Sequence, residues 1–305
     1  MISDPNLKNS IQALISAENL PDDFVSTVDS VYVPLAAALA ERHQDNETLI
    51  VGVNGAQGTG KSTLTAFLSL LLTQGHQLPT ASFSLDDIYL TKADRQALAH
   101  NVHPMLAVRG VPGTHDVALG ISVIDSLIQA DDSQVTPIPS FDKAVDDRKP
   151  IEAWPRFKGR PAVIILEGWC VGSVAESEDK LASPMNALEE AKDRDATWRH
   201  YVNKQLDDSY KALFGRFDVL IMIAAPNWDV VYQWRLLQED KLRRRCQRDG
   251  LDDSAVMSAQ QVQDFIQYYE RTTRHCLAEM PGRADYLLQM DEAHRITGIT
   301  GLDIE

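Results

Sequence analysis

The sequence predicts an α/β protein built on a doubly wound, mainly parallel sheet. Three observations carry that expectation. Unbroken apolar runs of strand length, such as Leu49-Ile50-Val51-Gly52-Val53 and Ala162-Val163-Ile164-Ile165-Leu166, are of the kind buried on both faces of a parallel sheet. Segments with apolar residues at helical spacing alternate with those runs along the chain. Between the first run and the helix after it lies Gly55-Ala56-Gln57-Gly58-Thr59-Gly60-Lys61-Ser62, the G-x-x-x-x-G-K-[ST] pattern of a strand–loop–helix phosphate cradle.

In chain order, residues 1–46 read as an N-terminal helical extension packed on the core, with helices over 7–17 and 24–43. The second carries Phe24, Val28, Val31, Leu35 and Leu39 on one stripe. Residues 47–305 read as one nucleotide-binding domain. Its glycine loop leads into a helix through Leu64, Phe67, Leu68, Leu71 and Leu72. Residues 80–85 form a second buried strand that ends in Asp86-Asp87-Ile88-Tyr89, so carboxylates gather at the strand edge where open α/β sheets bind ligands. A helix over 92–100 follows. Thr91-Lys92-Ala93-Asp94 spells the guanine-reading T-K-x-D, but it follows the second strand rather than a late one and reads as a helix start. Residues 109–116 are a Gly/Pro turn segment feeding an amphipathic helix through Leu119, Ile121, Ile124 and Leu127. Residues 135–141, broken by Pro137 and Pro139, make an edge strand or extended loop. The strand over 162–166 closes with Glu167-Gly168-Trp169. From 175 to 199 the composition turns acidic and loses its long apolar runs, which marks an insertion or a solvated helix. A helix over 206–213, a strand over 217–223, a cation-rich helix over 228–248, an amphipathic helix over 258–278 and a strand over 284–290 complete the alternation. The tail after Asp291 is polar.

With 305 residues, 44% hydrophobic and 24% charged, the chain has ample material for a core. A formal net charge of −15 repels nucleic acid and anionic membranes, so neither is an expected partner. Cys170, Cys246 and Cys276 are far apart and without C-x-x-C spacing, as for buried or inert thiols in a reducing compartment. Residues 1–20 carry Asp4, Lys8 and Glu18 with no signal-like apolar run, and no stretch approaches 18 apolar residues. A cytoplasmic location is expected.

The glycine loop assigns the first chemistry. Backbone amides of Gly55, Ala56, Gln57, Gly58, Thr59 and Gly60, with Lys61, Ser62 and Thr63 at the helix start, would close around a polyphosphate. Lys61 would reach the β/γ-phosphates and Ser62 would hold Mg²⁺. Glu167, ending an apolar strand, is the second candidate for the metal, directly or through water; the alternative is a helix-capping or salt-bridging carboxylate. Phosphoryl transfer also needs a positioned acceptor and a base for its proton. Asp86 is the candidate base, with two alternatives: Asp87 does that work, or both acids cap the next helix. Asp87 and Tyr89 also count as acceptor contacts. Arg109, His115 and Asp116 lie in a rigid turn that suits presentation to a small polar acceptor, such as a carboxylate gripped by arginine, or that serves only as a turn. The basic run Arg235, Lys241, Arg243, Arg244, Arg245 and Arg248 fits a lid closing over phosphates, with Arg235 as its catalytic cation, or else a solvated helix face. His100 and His103 have no third ligand nearby, which argues against a metal site there.

Four further segments carry a family likeness: 109–116 as Arg-Gly-Val-Pro-Gly-Thr-His-Asp, 165–169 as Ile-Leu-Glu-Gly-Trp, 231–236 as Val-Tyr-Gln-Trp-Arg-Leu, and 262–269 as Val-Gln-Asp-Phe-Ile-Gln-Tyr-Tyr. With the glycine loop they span residues 48–275. The chain thereby resembles the P-loop kinases of small hydroxylated metabolites, which include uridine kinase, pantothenate kinase and phosphoribulokinase, and most of all the D-glycerate 3-kinases of plant and fungal type. The resemblance implies a P-loop kinase domain with a helical lid over about 227–248, ATP and Mg²⁺ as cofactors, and phosphorylation of a hydroxyl on a small anionic acceptor, D-glycerate giving 3-phosphoglycerate. It puts Asp86 where the group has its catalytic carboxylate and residues 109–116 in the acceptor pocket. Asp146-Asp147-Arg148 departs from the family by lacking a glycine before the Asp-Arg pair, and residues 175–199 have no counterpart. The rival readings are a uridine- or pantothenate-type kinase and a nucleotide-dependent switch ATPase with no small acceptor.

Overall fold

The computed structural model describes residues 4–249, 252 and 256–302, without the side chains of Arg245 and Asp249, so the Arg245 side chain of the basic run and the last three residues of the tail lie outside the described residues. Six strands form the central sheet: β1 Leu49–Gly55, β2 Thr80–Ser84, β3 Val163–Gly168, β4 Val219–Ala224, β5 Tyr286–Met290 and β6 Ile296–Thr300. They lie in the order β2-β3-β1-β4-β5-β6. The first five run parallel, and β6 is antiparallel to β5. Every residue of β1 and β3 is buried, which is why both read as continuous apolar runs. The chain leaves β1 toward one edge and leaves β3 toward the other, so a crevice opens at the carboxyl ends of these adjacent strands.

Helices cover both faces. Helix Pro5–Ala17 and the helical run from Asp22 to Arg42 lie beside helix Lys61–Leu70, and their Leu7, Ile11, Ile15, Val28, Leu35 and Leu39 belong to the main core. One sequence expectation is corrected here. The run Asp22–Arg42, 21 residues with a mean hydropathy of 1.2, is long and apolar enough by length and composition to cross a membrane. In the fold its buried face joins the main core.

Two further expectations change. The polar tail supplies a strand, β6, whose half-exposed edge position leaves only a weak alternating pattern to read. The acidic stretch 175–199 is not simply solvated. Its Leu181, Leu188, Glu189, Asp193, Trp198 and Arg199 are buried. Leu188, Trp198 and Val202 form a second small core with Met105, Leu106 and Val111. Arg199 pairs with Asp193 at 2.9 Å, and Arg271, from helix Ala259–Glu279, pairs with Glu189 at 2.7 Å and Glu176 at 3.3 Å. Thr91 caps helix Lys92–Asn101, accepting from the Asp94 amide, so the T-K-x-D run is a helix start. All three cysteines are buried thiols.

Candidate active site

The glycine loop leaves β1 with Gly58 and Gly60 in the left-handed region, at φ 84° and 85°, where a side chain would strain the backbone. Lys61 folds back so that its Nζ donates to the Ala56 carbonyl at 3.2 Å, and Thr59 Oγ1 donates to the same oxygen at 2.9 Å. Burial lowers the proton affinity of Lys61, and the nearby charges of Glu167 and Asp86 oppose that shift. Glu167 is in register with Val53 of β1 and Ser84 of β2, and Ser62 Oγ donates to its Oε1 at 2.9 Å. Thr63 sits in the first turn of the same helix. Asn54 Nδ2 ties β1 to the loop after β3 through the Trp169 and Val171 carbonyls at 3.2 and 2.7 Å.

Asp86 and Asp87 separate cleanly. The Asp87 carboxylate accepts from the Ser84 amide at 3.1 Å and the Phe141 amide at 3.4 Å, so it closes the capping box that Ser84 heads at the turn Leu85–Ile88 and has backbone partners where an acceptor contact was expected. The Asp86 carboxylate instead accepts from Tyr89 Oη at 2.7 Å and Lys143 Nζ at 2.6 Å. Burial pushes its pKa up, but the Lys143 charge and the hydrogen bonds from Lys143 and Tyr89 outweigh burial and hold it below the usual carboxylate range.

The turn segment delivers His115 beside them, its ring stacked on Tyr89 with centroids 4.5 Å apart. His115 Nδ1 lies 2.5 Å from Tyr210 Oη, whose oxygen faces the amides of Gly113 and His115. With its lone pairs turned to amides, the tyrosine donates to Nδ1, which assigns the imidazole hydrogen to Nε2. That Nε2 is buried and has no hydrogen-bond partner. Burial lowers the His115 pKa to about 3, against the nearby Asp86 charge, so the ring is neutral near pH 7.

Asp116 and Arg109 are engaged by protein groups. Asp116 caps helix Val117–Gln129 through the Leu119 amide at 3.0 Å and accepts from Arg148 at 3.1 Å. Arg109 pairs with Asp146, which Arg95 also holds at 3.0 Å. Asp146 has φ 57°, the left-handed position for which a glycine was expected, and aspartate is one of the few residues that adopts it readily.

Helix Trp228–Asp249 rests on the glycine loop. A Cβ on Gly58 would come 3.0 Å from Trp234 Cβ. Trp234 stacks on His294 at 4.0 Å and donates to the Glu292 carbonyl at 3.1 Å, while the His294 ring hydrogen-bonds the Gly58 backbone. Arg235 turns along its own helix, paired with Glu239, bonded to Gln238 at 3.2 Å and lying 5.9 Å over the Phe265 ring. Arg244 pairs with Asp240, and Arg243 donates to the Met257 carbonyl, so these cations serve the helix surface.

Lys143, Tyr210 and Arg95 were not singled out from sequence. Lys143 stands in Phe141-Asp142-Lys143, but nothing local aims it at a residue 57 positions away. His103 does meet Asp193 and Asp195, with ligand atoms within 4.8 Å. Its Nε2 lies 3.1 Å from the Lys192 carbonyl, and Asp193 is taken by Trp198 and Arg199. A cavity of about 460 Å³ lined by Gly172, Phe214, Phe217 and Arg283 shares no residue with the convergence of Lys61, Asp86 and Glu167.

No protein-family model matches the chain. An uncharacterized kinase of Schizosaccharomyces pombe, mug58, is 32% identical over 238 residues, which cover 74% of this chain and 79% of the relative. This chain belongs to the P-loop kinases. The chloroplastic D-glycerate 3-kinase of Arabidopsis thaliana is 30% identical to this P-loop kinase over 233 residues, 74% of the chain and 47% of that longer protein. The solved structure of D-glycerate 3-kinase from Cryptococcus neoformans var. grubii matches it with a TM-score of 0.72 and 26% identity, covering 88% of this chain and 96% of that one. The parallel sheet, glycine loop and helical layers are those of an ATP-dependent kinase, as the motif and its flanking elements led one to expect.

Proposed function

We propose that this P-loop kinase uses ATP and Mg²⁺ to phosphorylate a hydroxyl of a small anionic acceptor, D-glycerate giving 3-phosphoglycerate. The observation that carries the reading is Asp86: a carboxylate held ionised just after β2, its charge felt by the phosphate-loop lysine, near an unpartnered imidazole Nε2–H. Asp86 would take the proton of the attacking hydroxyl as its oxygen bonds the γ-phosphorus. The bond from that phosphorus to the β–γ bridging oxygen breaks and ADP leaves. Ser62 and Glu167 offer hard oxygen donors 2.9 Å apart at the phosphate loop, which fits Mg²⁺. Bound there, the ion would neutralise charge on the β- and γ-phosphate oxygens. Neutral His115, held by Tyr210, would donate Nε2–H to an acceptor oxygen without adding charge. The glycerate assignment is supported by the names of the plant and fungal relatives.

The test is ADP release across glycerate, uridine, pantothenate and ribulose 5-phosphate. Glycerate-dependent release, with 3-phosphoglycerate identified as product, is expected. Turnover only with uridine or pantothenate would replace the acceptor. Hydrolysis indifferent to every metabolite and stimulated by a protein would replace the reaction class.

A further inference from the structure

The two groups an anionic alcohol would need, Asp86 for its hydroxyl and Arg109 for its charge, are already occupied, and one small hairpin occupies both. Strand Phe141–Asp142 pairs antiparallel with Asp147–Arg148. The turn between them lays Lys143 on Asp86 and Asp146 on Arg109. We propose that this hairpin fills the acceptor site with stand-ins, and that Lys143 is a specificity-determining residue. The Asp146 carboxylate occupies Arg109 in place of the acceptor's anionic group, and Lys143 covers the base until that anion takes Lys143 for itself. The inference rests on the acceptor reading above.

Both exchanges leave the protein satisfied. Lys143 is 62% exposed, with Asp86 31% exposed beneath it, and ion pairs at such a mouth are weak and easily traded. Asp146 keeps a partner when Arg109 leaves, because Arg95, only 1% exposed, also holds its carboxylate and donates to its carbonyl at 2.7 Å. Arg95 is itself fixed by the Leu90 and Ala107 carbonyls at 3.3 and 3.0 Å, so the hairpin stays anchored. Arg109 and Lys143 are then both free for one anionic group, while Asp86 retains Tyr89 and turns to the hydroxyl. An uncharged alcohol or water cannot drive the exchange. The device therefore selects anionic acceptors and suppresses idle hydrolysis of ATP.

The experiment compares Lys143→Met and Lys143→Arg with the parent chain, using ATP, Mg²⁺, and D-glycerate or glycerol, the same carbon skeleton without the carboxylate. Losing a charge-assisted contact to the ligand should raise the Lys143→Met KM for glycerate roughly 10- to 100-fold, with a smaller change in kcat and none in the response to glycerol. Lys143→Arg should restore most of the KM. Acceptor-free ATP hydrolysis should rise in Lys143→Met. Its acid limb should move to higher pH, because Asp86 loses the lysine and keeps burial, with Lys61, Asp87, Tyr89, His115, Cys170 and Tyr269 still facing it. If the parent phosphorylates glycerate while Lys143→Met leaves KM and acceptor-free hydrolysis unchanged, the stand-in role is wrong and the kinase reading survives. If the parent ignores glycerate, the acceptor reading fails, and acceptor-free hydrolysis decides the rest: a rise upholds the covering of Asp86, and no rise overturns it.

Discussion

Asp86 and Asp87 are adjacent and chemically identical but differently engaged: one accepts from side chains and the other from backbone amides. Asp86→Asn should lower kcat by about 10²–10⁴ while leaving the denaturation midpoint close to that of the parent. Asp87→Asn should do the reverse, with a loss of about 1 kcal/mol in urea unfolding as the cap weakens. His115 supplies a pH signature. Its pKa falls to about 3 in the fold, so between the usual histidine value and that point the unfolded chain binds the extra proton. The folded state should therefore lose up to about 1.4 kcal/mol of stability per pH unit as pH drops through that window. His115→Gln, which cannot titrate, should show a shallower slope in acid unfolding.

At the scale of the element, helix Ala259–Glu279 shows how a charged face is core. Arg271 binds Glu189 and Glu176 and donates to the Lys180 and Ser183 carbonyls. Removing it by Arg271→Ala leaves buried carboxylates without a counter-ion, and chemical denaturation should register a loss of about 3–5 kcal/mol. The same pairing explains what the sequence could not disclose. Strands β1, β3 and β4 were legible because burial on both faces writes itself as apolar runs, whereas β2, Thr80–Ser84, is only partly buried and alternates; the glycine loop was legible because backbone geometry demands glycine. The 175–199 stretch read as an insertion or a solvated helix rather than core because the arginine that neutralises Glu189 lies 82 residues away. Arg109 was expected to grip a carboxylate of the acceptor or to serve only a turn; in the structure it pairs with Asp146, on a hairpin whose tip no local pattern aims. The basic run of the Trp228–Asp249 helix was visible, and so was the i,i+4 spacing by which Arg235 turns to Glu239 along its own helix.

At the scale of the whole molecule, the glycine loop and the main core are one cooperative unit: β1 is the central strand and the loop's helix buries Leu64, Phe67 and Leu68 in that core. Nucleotide bound to the loop should therefore stabilise everything it is built on. At a hundred times its Kd, ATP with Mg²⁺ should contribute about 2.7 kcal/mol. For a chain of this size that is a rise in Tm of several degrees, on the order of 5 °C. Lys61→Ala should abolish the rise in a thermal melt while retaining a cooperative transition. That contrast separates failure to bind from failure to fold.

The contact of Trp234 with Gly58 and His294 gives this protein an intrinsic optical gauge of its own occupancy. An indole stacked on an imidazole that itself hydrogen-bonds the phosphate loop changes its surroundings whenever triphosphate repositions that loop. Titrating ATP should alter indole emission in a saturable way, and Trp234→Phe should silence that change while the other four tryptophans remain. Stopped-flow recording of the same signal would time nucleotide arrival without any attached dye.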